Sequence, residues 1–135
     1  MIRNLISTIA IAGLLLSACE SKRDQKGRKG FTAQLIFPLQ GEHVHGSSIV
    51  SLPSGDLLAA WFQGSGERWA DDVRIMGSRL SRSDTAWSKP FIMADIDGFP
   101  DINPILFMDR SDRLWMMWYP VLANQWETSI PMYRI

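Results

Sequence analysis

With 135 residues, 14 Lys and Arg against 14 Asp and Glu, and 46% apolar residues, the chain has the composition of one ordinary globular domain. The zero net charge excludes a strongly charged nucleic-acid binder, and no nucleic-acid partner is expected.

The first residues stand apart from that domain. "MIRN" carries a positive charge, and "LISTIAIAGLLL" is an apolar run too short to span a bilayer as a helix. Residues 1–18 read as an export signal. The signal ends in "LSAC", residues 16–19, which resembles the lipobox of bacterial lipoproteins. That resemblance implies cleavage before Cys19 and lipidation of its thiol, with acyl chains enough for stable anchoring. Cys19 is the sole cysteine, so no disulfide is expected. The expected location is the bacterial cell envelope, lipid-anchored at the outer membrane or facing the periplasm. Glu20 and Ser21 give no firm sorting signal. Residues 19–30 continue as "ESKRDQKGRKG" after the cysteine, polar and without apolar periodicity, and read as a flexible tether.

The domain is expected over residues 31–135. Helix signals are missing there, and apolar runs alternate with turn sequences such as "PSGD" at 53–56 and "RSDR" at 110–113. The domain reads as all-β.

A repeat organises it. "SIVSLPSGDLLAAWFQG" at 48–64 matches "PILFMDRSDRLWMMWYP" at 104–120 in pattern, with Leu57 against Leu114 and Trp61-Phe62 against Trp118-Tyr119. A third strand follows each hairpin, in residues 72–81 and 130–135, and places Arg79 opposite Arg134 as counterparts. A fourth strand is expected over 87–94 in the first copy only. "LLAAWF" and "LWMMWY" are apolar on both faces, so both should be covered on both sides. Four antiparallel strands per repeat of this period fit a propeller blade, and about one and a half blades are present. A propeller closes only with several blades, so a truncated frame or fragment is expected, inactive by itself. A small sandwich is the competing architecture.

The blade pattern together with "SRSDTAW" at 81–87 resembles the BNR-repeat or sialidase-like superfamily, and its bacterial predicted-neuraminidase branch in particular. Ser81 or Ser83, Asp84 and Trp87 match a degenerate Asp box, a turn device in which Asp84 would bond its own backbone and Trp87 would pack beneath. The resemblance implies a propeller and an exo-sialidase-like glycosidase acting on sialic acid or a related acidic glycan. Sialidases hold the sugar carboxylate with arginines, because a guanidinium offers two parallel donors. Alignment through "PSG" puts His45 and Gly64 where two of those arginines are expected. The nucleophile pair, a Tyr with its Glu, would lie in later blades.

The loop after the second strand offers Glu67, Asp71 and Asp72 beside Arg68 as acid/base candidates, with Asp71 preferred. Solvated loop charges are the plainer reading, and Asp72 alternatively begins the third strand. His45 is a candidate hydrogen-bonding or general-base group. His43 and His45, two apart, would share a strand face, and His43 is a candidate ligand-binding residue with Arg68 and Trp69. That spacing permits a metal pair, but no third ligand is apparent, so neither metal nor cofactor is expected. Trp69 and Trp126 occupy corresponding loops and would either stack on a sugar or fill a gap between blades. Three functions compete: an exported glycosidase, a non-catalytic propeller lipoprotein binding glycan or protein, and a sugar-acid lyase using His45.

Overall fold

The computed structural model describes Gly30 and residues 32–135; the expected export signal, Cys19 and the expected tether before Gly30 lie outside the described residues. Residues 34–135 form one unit. It contains β1 (His43–Ser51), β2 (Leu57–Gly64), β3 (Arg74–Leu80), β4 (Phe91–Ala94), β5 (Asp101–Met108), β6 (Leu114–Pro120) and β7 (Met132–Arg134). No helix among the described residues is long and apolar enough to cross a membrane. The strands make two antiparallel meanders, β1-β2-β3-β4 and β5-β6-β7. The domain is all-β, and its two sheets have the strand order of a propeller's blades.

The repeat holds residue by residue. Ser48 pairs with Ala60 and Ser51 with Leu57 in the first hairpin, while Ile105 pairs with Met117 and Met108 with Leu114 in the second. Every one of these positions lies 57 residues after its counterpart. Both first strands bulge at the same place, between His45 and Ser48 and between Ile102 and Ile105. The left-handed residues also correspond, Gly46 with Asn103 and Gly55 with Asp112. Pro104 is tolerated in β5 because it sits in the bulge, where no ladder donor is needed. The two inner strands are tied directly: the Leu106 N–H donates to Ser48 Oγ at 2.9 Å.

β2 is buried on both faces, as its sequence requires. Leu58, Ala60 and Phe62 join Val73, Ile75, Ile102, Leu106 and Trp118 in the core. The opposite face is covered differently from expectation. Ala59, Trp61 and Met76 pack against Ile36, Phe37 and Trp87, so the segment before β1 supplies the cover that a preceding blade would supply. The Phe37 and Trp61 rings stand 4.7 Å apart. In β6, Met116, Trp118 and Pro120 are buried, whereas the alternate residues stay half-buried.

Three local expectations are corrected. Arg79 and Arg134 are not counterparts: Arg79 pairs with Leu58, whereas Arg134 pairs with Met116, the counterpart of Ala59, so the two side chains leave opposite faces of their sheets. β4 is shorter than expected, because Pro90 lacks a donor. Ser88 takes over there, its N–H donating to Arg79 O at 2.8 Å and its Oγ accepting from Arg79 N–H at 3.0 Å. The Asp box turn is held by Asp56 and not by Asp84. Asp56 Oδ1 accepts from Arg82 N–H at 2.8 Å and Oδ2 from Arg79 Nε at 2.9 Å, whereas Asp84 is exposed. Trp87 does pack as expected, against the outer face of β2.

Candidate functional site

The candidate residues gather at the end of the first hairpin where β1 begins and β2 ends. The register pairs His43 with Gly64 and His45 with Phe62. Because side chains alternate along a strand, both imidazoles leave the same face, and their rings stack at 4.2 Å. His45 also stacks on Phe62 at 5.7 Å, which fixes its plane. The approach to β1 is held from below. Trp61 Nε1 donates to Gln63 Oε1 at 2.8 Å, and Gln63 Nε2 donates to Glu42 Oε2 at 2.5 Å, directly before His43.

The loop of residues 65–73 then folds back over this end. Asp72 anchors it, accepting from Ser65 N–H at 3.1 Å and Ser65 Oγ at 2.9 Å. The Ser65 amide and hydroxyl hold the Asp72 carboxyl below the usual range, so it stays ionised as a loop clamp. That fold-back brings Glu67 to the histidines, with Oε1 3.9 Å from His45 Nδ1. One ligand atom each from His43, His45 and Glu67 lie within 4.8 Å of one another. Sequence reasoning did not find this third group. The signal was the hairpin register: once His43 stands opposite Gly64, a residue three beyond the strand end is in reach.

Arg68 has a different place from that of a free ligand clamp. Its guanidinium lies 4.0 Å from the Trp69 ring centroid and 5.0 Å from that of Trp126. Its Nε donates to Asn124 O at 3.2 Å. The corresponding loops of the two sheets thus meet through one cation between two indoles. Trp69 remains 64% exposed and Trp126 43%, so the stack presents an aromatic surface to solvent. Asp71 is exposed, and its side chain has no hydrogen bond among the described residues.

Gly64 leaves no room for an arginine. A Cβ there would stand 2.7 Å from Val73 Cα, a backbone atom that cannot move aside cheaply. Two further carboxylates are structural and escaped sequence reasoning. Asp101 is fully buried and accepts from Trp118 Nε1 at 2.7 Å and Ile96 N–H at 2.6 Å, while burial pushes its carboxyl up. Asp109 accepts from Trp115 Nε1 at 2.9 Å and from Ser111 and Arg113 N–H, and these bonds hold it well below the usual carboxylate range.

The model of the BNR repeat-like domain family matches residues 55–135, more than half of the chain. The all-β sheets, their shared register and this match define a propeller-type repeat protein. The chain belongs to the BNR repeat-like family. No curated protein and no solved structure matches it.

Proposed function

We propose that the chain is part of an exported, lipid-anchored BNR-repeat propeller that binds glycan at the mouth of its first hairpin without cleaving it. The observation that carries this reading is the Arg68 stack. Two partly exposed indoles are held in place by one guanidinium, and a rigid apolar ring face is what a sugar ring stacks on. Two groups a sialidase would draw on are committed elsewhere, Arg68 to the indoles and Asp72 to Ser65, and Gly64 leaves no room for an arginine. Export and anchoring rest on the signal sequence and on Cys19, which would hold the domain at the cell envelope.

A glycosidase reading has its own support in the approach of His45 to Glu67 and in exposed Asp71, groups able to exchange protons with a substrate. Two assays separate the readings. Calorimetric titration with sialyllactose and with lactose should show saturable binding of at least one glycan, weakened about tenfold in Trp69→Ala, the loss of one stacking contact of about 1.4 kcal/mol. Release of fluorophore from a sialoside by wild type, and its loss in Asp71→Ala, would overturn the non-catalytic reading. Incorporation of an alkyne fatty acid in wild type but not in Cys19→Ala tests the anchor.

A further inference from the structure

We infer that His43, His45 and Glu67 form a binding site for a divalent transition-metal ion, with Zn2+ the ion its ligand set fits best. The three side chains come from two segments, β1 and the loop after β2, and the hairpin register sets them face to face. Their nearest ligand atoms all lie within 4.8 Å of one another, and His45 Nδ1 stands 3.9 Å from Glu67 Oε1. A tetrahedral ion with bonds of about 2.1 Å separates its ligands by about 3.4 Å, so small side-chain rotations close the remaining gap.

A second observation points the same way. His43 Nδ1 is buried and has no hydrogen-bond partner among the described residues. A buried imidazole nitrogen without a partner is costly, and coordination of an ion at that nitrogen removes the cost. The repeat supplies a third observation. At the corresponding positions of the second copy stand Pro100, Ile102 and Asn124, so the blade architecture itself does not call for two histidines and a glutamate here. The fold tolerates proline and isoleucine in place of the two histidines and an uncharged amide in place of the glutamate.

The ligand chemistry chooses the class of ion. Two imidazoles and one carboxylate suit zinc and its first-row neighbours, whereas Ca2+ and Mg2+ ask for oxygen donors. Three protein ligands leave a fourth position open, and His45 and Glu67 are only partly covered, with side-chain exposures of 50% and 35%. The set is that of an ion that keeps a water or an outside ligand. Neutral histidines and one carboxylate carry a single negative charge, and a divalent ion makes the three-ligand set itself positive. That reversal adds the sign an acidic sugar needs, a consequence that rests on the glycan reading, whereas the ion site does not.

The test is direct metal titration of the full chain, purified without a polyhistidine tag and treated with chelator, in wild type and in Cys19→Ser to remove the only thiol. Zn2+, competed against a chromophoric indicator, should bind one per chain in both. Glu67→Gln and His45→Ala should each weaken it by at least about tenfold. Co2+ should give the visible absorption of a four-coordinate site, lost in both variants. Circular dichroism of Glu67→Gln, a loop residue, guards against a folding failure. No stoichiometric Zn2+ in wild type, equal affinity in the variants, loss of the ion in Cys19→Ser, or displacement by equimolar Ca2+ would each overturn the assignment. Glycan titration of the metal-free protein then separates failure of the ion site from failure of the glycan reading.

Discussion

Gly46 and Asn103 hold the same bulge in the two inner strands and lie close to each other. Their φ angles are +58° and +51°, and a Cβ built on Gly46 would lie 3.1 Å from Asn103 Oδ1 and 2.7 Å from Phe62. The repeat therefore places two left-handed residues side by side, where β1 and β5 approach and the histidines begin. Asparagine tolerates that conformation better than most residues, and glycine is needed only where the Cβ has no space.

Gly46→Ala should accordingly cost about 1–3 kcal/mol, from the left-handed backbone and the contact with Phe62 together. Asn103→Gly should change stability by less than about 1 kcal/mol. Urea unfolding of both variants beside wild type measures the difference; equal costs would contradict the assigned asymmetry.

The hairpins, their register and the strongly apolar second strands were legible because period-two burial and turn residues are local properties. What was not legible depended on packing between segments. The segment carrying Ile36 and Phe37 has no strand pattern, yet it covers the outer face of β2. Arg68 looks like a free cation in "GERWADD" until Trp126, from the other copy, is brought across its guanidinium. Glu67 joins the histidines only through the loop fold fixed by Asp72. The Asp box resemblance points to Asp84 for the turn, but Asp56, opposite in the meander, reaches the same backbone with an arginine's help.

Asp101→Ala should be among the most damaging single changes. It leaves the Trp118 indole N–H and the Ile96 amide without acceptors at a site from which water is excluded. Two stranded donors of this kind cost about 2–4 kcal/mol. The shift of the urea midpoint at constant slope is the measurement, and a loss under about 1 kcal/mol would show that water replaces the carboxylate.

Acid should destabilise the domain, with Asp101 opposing the trend. Asp56, Asp72 and Asp109 have folded pKa values below the ordinary Asp value of 3.8, the first through the Arg82 amide and then Arg79, the others through Ser65 and Trp115. Their stabilisation is fully present above 3.8 and lost as pH falls through the lower folded values. Asp101 is raised by burial, so its contribution is fully present below 3.8 and lost as pH rises through the higher folded value. Urea midpoints followed downward from neutral pH should fall, less steeply in Asp109→Asn and more steeply in Asp101→Asn. A slope unchanged in Asp109→Asn would remove that carboxylate from the account.

Arg68 should act as a strut between the two loops. Its guanidinium contacts both indoles and its Nε reaches Asn124 O, so Arg68→Ala removes three contacts at once. Cation–π contacts at such exposed rings are worth about 0.5–1 kcal/mol each, so the total loss of stability should stay near 1–2 kcal/mol. The local effect should be larger than the global one: Trp69 and Trp126, no longer held across a common cation, should become more accessible to acrylamide quenching. Arg68→Lys keeps the charge but loses the planar stacking and the Nε donor, and should fall between wild type and alanine. If quenching in Arg68→Ala matched wild type, the indoles would be held by something other than Arg68.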